Sequence, residues 1–154
     1  MEQIIGFNDL KVGQRVKVKG KSNEAGSFVA LEISVKAPAD HAEIEGLLQG
    51  IDQQKNTLRI MNREITVPST VTIKTLQLNN SGLSGLKIGD MVKLKGKYSA
   101  AGGFALEQIK VKETFGFNVE ELQGAINQAD REMKTLDVVG FTVLVNAKTT
   151  IEGF

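Results

Sequence analysis

The chain has 154 residues, a formal charge of +1, 41% hydrophobic and 24% charged residues, and no cysteine. That length suits one ordinary domain or two very small ones, and it is enough to bury roughly 68–70% of the unfolded surface. A disulfide framework, a thiol nucleophile and a thiolate metal site are excluded, and the charge is too near neutral to announce a dedicated nucleic-acid binder.

No apolar run approaches the ~18 residues of a membrane span. The opening Met1-Glu2-Gln3-Ile4-Ile5-Gly6 has neither the basic nor the apolar region of a signal peptide. The expectation is a cytoplasmic protein as written, and an exported or periplasmic one where a signal peptide has been removed.

In chain order, Gly6-Phe7-Asn8 comes first and reads as an aromatic plug. Val16 and Val18 then alternate with Arg15, Lys17, Lys19 and Lys21, the period of a half-buried strand, with Gly20 punctuating its end. A polar loop through Gly26 suits a hairpin. On the returning strand Phe28 and Ala30 share a face, but Ile33 and Val35 are one residue out of phase. Such a slip predicts a β-bulge.

After a linker with Pro38, Asp40 and His41, a strand is expected over about 43–50, then a turn at Asp52–Asn56 and a strand over 57–61. A tight turn at Asn62-Arg63 leads to a strand over 64–67, ended by Pro68, and a short strand over 70–74. Asp52 opens its turn as a backbone cap.

The second half repeats the first. Leu10–Lys21 returns as Leu86–Lys97, and Phe28 and Ile33 as Phe104 and Ile109, all at an offset of 76. Gly46, Asp52, Leu58 and Ile73 return as Gly124, Asp130, Leu136 and Ile151 at an offset of 78. Calling the first unit A and the second B, the chain reads A-B-A-B. A second bulge is expected between Leu106 and Ile109, with Val139-Gly140 where the first B unit has Asn62-Arg63. Gly116-Phe117-Asn118 repeats the aromatic plug, and a one-turn helix is weakly indicated over 119–123. Short strands at close spacing make the chain all-β, a barrel or a sandwich.

The B pattern (Gly-x-Leu/Ile, Asp, Thr-Leu, Ile/Val-x-Val, Thr-Ile) followed by the A pattern (Leu-x-Val/Ile-Gly-x-x-Val-x-Val/Leu-x-Gly, then Gly-x-Phe) resembles a bacterial domain family of unknown function. The resemblance implies small five-stranded OB-like barrels, often in tandem and often exported, and carries no catalytic residues. It covers nearly the whole chain. Residues 42–113 fit one whole unit in the family's B-then-A order. A half-barrel alone would leave an open edge and an apolar face. The expectation is therefore two barrels: 42–113 as an inserted unit, and 1–41 with 114–154 as two halves completing the other. Pairing of 7–36 with 42–73 and of 84–113 with 119–152 would overturn it, and exchange of halves between chains would give a domain-swapped dimer.

The candidate anion or nucleic-acid face is the strip Arg15, Lys17, Lys19 and Lys21 with Lys93, Lys95, Lys97 and Tyr98. Each A unit holds six basic and three acidic residues, whereas the B units are acidic. A phosphate-tracking groove also needs stacking aromatics, and only Tyr98 is near. A solvated strand face that discourages edge pairing explains the lysines more simply, and attraction between packed A and B units explains the charge split.

His41 reads as an exposed linker residue, since a metal site wants three or four ligands. No metal, cofactor or catalytic set is implied, and Ala100-Ala101-Gly102-Gly103 reads as a hairpin, not a phosphate cradle. The favoured reading is a non-enzymatic binding or structural module for protein or peptide partners. Binding of single-stranded nucleic acid or another anionic polymer is the alternative.

Overall fold

The computed structural model describes residues 6–74, 86–99, 101, 103–112 and 119–153. Among these residues it is all-β apart from a 3-10 turn at Phe7–Asp9. The strands are β1 (Arg15–Ser22), β2 (Phe28–Lys36), β3 (Ala42–Asp52), β4 (Thr57–Ile60), β5 (Arg63–Thr66) and β6 (Thr72–Lys74), followed by β7 (Met91–Ser99), β8 (Gly103–Lys112), β9 (Glu120–Asp130), β10 (Thr135–Val138), β11 (Phe141–Leu144) and β12 (Thr150–Glu152).

Five strands close a barrel in the order β1-β2-β11-β10-β9 and back to β1. The closing contacts are the antiparallel β1–β9 ladder, with Val18 opposite Leu122, and the parallel β2–β11 pair, with Phe28 opposite Val143. β12 adds to β2 in parallel, Ile33 opposite Ile151. Outside this ring, β3 pairs with β7, Ile44 opposite Leu94, and β6 pairs in parallel with β8, Ile73 opposite Ile109. β4 and β5 continue from β3 as a hairpin. Among the described residues, no strand of 7–36 pairs with one of 42–73.

The two groups of strands meet where β3 and β9 run antiparallel, Glu43 opposite Gln123, Ile44 opposite Leu122 and Glu45 opposite Glu121. Each of these 11-residue strands changes partner along its length. β9 leaves β3 for β10 beyond Ile126, and β3 leaves β9 for β4 beyond Leu48. One extra residue marks each departure, Asn127 in β9 and Gln49 in β3, because a bulge bends the strand and increases its twist. The apolar row Val18, Leu122, Ile44 and Leu94 crosses four strands and is fully buried. Burial of each such side chain stabilises the fold by about 1.5–3 kcal/mol.

The expected bulges are present on the returning strands. Leu31 is the extra residue between the pairs Lys19–Glu32 and Gly20–Ala30, and Glu107 between Lys95–Gln108 and Gly96–Leu106. The glycines do not end their strands, however, since β1 continues to Ser22 and β7 to Ser99. Their role is clearance. The bulge swings the partner carbonyl inward, so a Cβ on Gly20 would lie 2.0 Å from the Val29 oxygen, and one on Gly96 2.1 Å from that of Ala105.

Two other expectations are corrected. The segment over 119–123 is extended rather than helical, because Leu122 alternates with Glu121 and Gln123 and is held by Val18 on one side and Ile44 on the other. The β4–β5 turn is Met61-Asn62, one residue earlier than expected. Both residues have positive φ (52° and 61°), as do their counterparts Val139 and Gly140 (53° and 78°). Left-handed φ is unfavourable for Met and more so for a β-branched Val. Both side chains are buried nonetheless, folded back over Gly46 and Gly124, so burial offsets the backbone strain. Phe7 is buried, as a plug would be, with Lys134 over its ring at 5.3 Å. Phe117 and the Gly102 end of the second hairpin loop lie outside the described residues.

Gly20→Ala and Gly96→Ala should each lower stability by about 1–3 kcal/mol or more through overpacking against backbone. Gly50→Ala should stay within about 1 kcal/mol, because its Cβ would make only ordinary contact, 3.5 Å from Arg59. Thermal unfolding of the three variants beside the parent checks this difference.

Candidate functional site

Strand alternation puts the charged side chains of β1, β9, β3 and β7 on the face opposite the apolar row. Reading across the sheet, Lys17, Gln123, Glu43 and Lys95 form one line, and Lys19, Glu121, Glu45 and Lys93 the next. The two lysine strips of the sequence are therefore not contiguous. A stripe of carboxylates from β3 and β9 separates them.

Much of the strip is spent on that stripe. Lys93 Nζ lies 2.7 Å from Glu43 Oε1, Lys17 Nζ 3.5 Å from Glu121 Oε1, and Lys112 Nζ 2.9 Å from Glu45 Oε1. Arg15 is buried rather than solvated, at 4% exposure. Its guanidinium donates to Gln123 Oε1 from both Nε and Nη2, and from Nη1 to the His41 carbonyl, and lies 3.8 Å from Glu43. His41 is not a free linker residue. Its Nε2 sits 2.9 Å from Glu43 Oε2 and 3.1 Å from Arg15 Nη2, so it donates to the carboxylate when protonated and accepts from the guanidinium when not.

Burial tends to raise the Glu43 pKa, but hydrogen bonds from Lys93 and His41 outweigh it and hold the carboxyl below its ordinary value. For Lys93, burial favours the neutral amine, yet the hydrogen bond to Glu43 and the charges of Glu43, Glu45 and Glu121 raise its pKa. Desolvation lowers that of Arg15, with Glu43 and Asp40 opposing.

Tyr98 does not stand open as a stacking platform. Its ring lies against the backbone at Gly140, where a Cβ would be 3.2 Å from its Cε1. Burial and then the charge of Asp137 raise the phenol pKa, with Arg63 opposing. Arg63, read from the sequence only as a turn residue, stacks 4.7 Å over Phe141 and donates to the Gly26 carbonyl, tying the β4–β5 turn to the β1–β2 loop. Among the described residues, the strip members without an ion pair are Lys19, Lys21, Lys95 and Lys97, joined on β8 by Lys110; of these Lys21, Lys95, Lys97 and Lys110 are exposed.

The carboxylates could have been found from the sequence, since Glu43-Ile44-Glu45 alternates with the same period as the lysines. Asp52 and Asp130 act within their turns: each Oδ1 accepts two backbone N–H groups, at 3.0 Å in the first and 3.0 and 3.1 Å in the second. Among the described residues, no group of three or more His, Asp or Glu side chains is placed to hold a metal ion, and no helix is long and apolar enough to cross a membrane.

Concavities open on the surface of the described residues. A cleft of about 510 Å³ lies over β9–β11 and is lined by Gln128, Arg131, Asp137 and Thr142. A smaller recess of about 210 Å³ lies between Ala42, Tyr98, Gly124, Asn127 and Val139, with Asp40 and His41 beside it.

A family model described as "Domain of unknown function (DUF5666)" matches residues 2–34, the stretch holding β1 and most of β2. No curated protein and no solved structure matches the chain.

Because the folded Glu43 pKa is depressed, its contribution to stability is present above about pH 4.5 and is lost as pH falls through the folded value. Glu43→Gln should therefore cost about 1–3 kcal/mol at pH 7, leaving Arg15 and Lys93 undercompensated, and the deficit should shrink toward pH 3. Denaturant unfolding of parent and variant between pH 3 and pH 7 measures both.

Proposed function

We propose that the chain is a non-enzymatic binding module for protein or peptide partners, carried on two OB-like five-stranded barrels. One barrel would be residues 42–113 and the other the two halves 1–41 and 114–154. Matched registers support this division. Val18–Leu122 and Leu94–Ile44 fall at repeat-equivalent positions, as do Ile33–Ile151 and Ile109–Ile73.

The observation that carries the binding reading is the β3–β7–β8 face. Leu47, Met91 and Lys112 stand in register across its three strands, and Leu47 is 40% exposed. Ile88, 69% exposed, lies in the adjoining turn, where Gly89 donates to the Leu48 carbonyl. Further along the same face, Lys95 and Lys97 follow on β7 and Lys110 stands opposite Lys93 on β8; Lys95, Lys97 and Lys110 have no ion pair among the described residues. Exposed apolar side chains that share a face with unpaired lysines suit an acidic peptide with apolar side chains.

The alternative, a single-stranded nucleic acid or another anionic polymer, would use the same lysines but finds no aromatic platform beside them among the described residues, since the Tyr98 ring lies against Gly140.

A fluorescent peptide of alternating Glu and Leu and a labelled oligothymidylate, titrated at low and high salt, separate the two readings. The peptide should bind, and Lys95→Glu with Lys110→Glu should weaken it while Leu47→Ser also does. Tighter oligothymidylate binding with a steep salt dependence, indifferent to Leu47→Ser, would favour the alternative. Binding of neither probe at low salt would sink both.

A further inference from the structure

Two rows of outward side chains cross the sheet from β3 to β6. The first runs Glu45, Lys93, Lys110 and Lys74, and the second Glu43, Lys95, Gln108 and Thr72. Each row opens on the β3 side with a carboxylate that is already engaged. Glu43 lies 2.7 Å from Lys93, and Glu45 2.9 Å from Lys112. On the β8–β6 side neither row holds an acid.

Strands β6, β7 and β8 carry Lys74, Lys93, Lys95, Lys97, Lys110 and Lys112 against one acid, Glu107, which stands on the β8 bulge outside both rows. Lys110 and Lys74 are exposed, stand directly opposite each other on parallel strands, and have no ion pair among the described residues. Like charges so placed oppose the pairing of their strands, and an anion between them relieves the repulsion.

The other half of the chain does not repeat this arrangement. At the places of Lys74 and Lys110 it holds Glu152 opposite Ser34, and at those of Thr72 and Gln108 it holds Thr150 opposite Glu32. The neighbouring apolar pair changes as well. Leu47 opposite Met91 is matched by Ala125 opposite Arg15, which is buried. The lysine pair and the apolar pair beside it therefore belong to one half alone.

We infer that the face of β7, β8 and β6 takes a single extended peptide bearing an apolar side chain and then, at the next two alternate positions, two carboxylates. Side chains two residues apart on an extended chain are about 6.7 Å apart, which is also the interval between successive rows on the sheet. A peptide lying along β8 sets its apolar residue against Met91, beside Leu47. Its first carboxylate then falls between Lys110 and Lys74, and its second beside Lys95, Gln108 and Thr72. The chain supplies its own precedent, since Glu43-Ile44-Glu45 places carboxylates in the same two rows from the β3 side. The inference rests on the peptide-binding reading, and it adds the spacing of the partner's charges and a limit of one site per chain.

The test is calorimetric titration of the full chain at low salt with two peptides of one composition. Glu-Ser-Glu-Ser-Leu-Ser-Glu-Ser-Glu presents the pattern in either chain direction, and Glu-Glu-Ser-Ser-Leu-Ser-Ser-Glu-Glu breaks it. The first should bind one per chain, about five-fold or more tighter than the second. Lys74→Glu and Lys110→Ser install what the other half carries, and each should weaken the first peptide about three-fold or more. Lys21→Glu, the same charge change on β1, should leave its affinity unchanged. All three positions are exposed, so the variants keep the fold.

Equal affinity for the two peptides would overturn the proposal, and so would two peptides bound per chain. An affinity unchanged by Lys74→Glu or by Lys110→Ser would do the same, as would an equal loss in Lys21→Glu, which reduces the effect to net charge. If any of these results appears, or the first peptide fails to bind, while the Glu/Leu peptide still binds in a manner sensitive to Leu47→Ser, the module reading stands without this site. If no peptide binds at low salt, both fall.

Discussion

The antiparallel pairing of β3 with β9 is the constraint from which the rest of the arrangement follows. Ile44 and Leu122 face each other at repeat-equivalent positions, so the ladder runs between two like strands, each offering the same edge to the other. On their far edges the same residues meet Leu94 and Val18, which makes one continuous apolar row across four strands. A strand so placed cannot slip by one residue without turning Ile44 or Leu122 outward and bringing carboxylates into the core. The register is thereby fixed, and the partners of every neighbouring strand with it.

The same constraint assembles the charged face. With the apolar side chains committed inward, Glu43, Glu45, Glu121 and Gln123 must point outward between two rows of basic residues. Exposed ion pairs of this kind add little individually, so Lys17–Glu121 and Lys112–Glu45 are better read as neutralisation than as major sources of stability. Arg15 is different. It is buried, and a buried guanidinium requires the Gln123, His41 and Glu43 groups that surround it. What was a uniform basic strip in the sequence is divided by the fold into a structural half and a half left open to solvent.

Curvature comes from four bulges, two on the returning strands and two where β3 and β9 exchange partners. The first two demand glycine opposite them, because the displaced carbonyl occupies the place of a Cβ. The second two carry polar residues, Gln49 and Asn127, and here the equivalence of the halves breaks. Glu120 against Ala42 and Ser22 against Tyr98 are small exchanges in a strand pattern. In space they decide whether a place is filled by the Glu120 carboxylate or left as a recess beside Ala42.

Much of the fold was legible in the residues. Alternation of Val16 and Val18 with lysines marked β1, the phase slip after Ala30 marked a bulge, and Asp52 and Asp130 marked turns, because each signal acts over a few neighbouring residues of backbone. The extended conformation of Glu120–Gln123 was not legible, since it depends on Val18 and Ile44, which lie far away in the chain. Neither was the turn at Met61-Asn62, where burial of an apolar side chain overrides the usual preference for Asn or Gly at positive φ. The sequence by itself determined an all-β chain, its strand periods, the two bulges of the returning strands and its repeated units. Only the tertiary structure decided which lysines are neutralised, that Arg15 is buried and His41 engaged, and that Ala42 leaves a recess, because those outcomes depend on which strand edges meet.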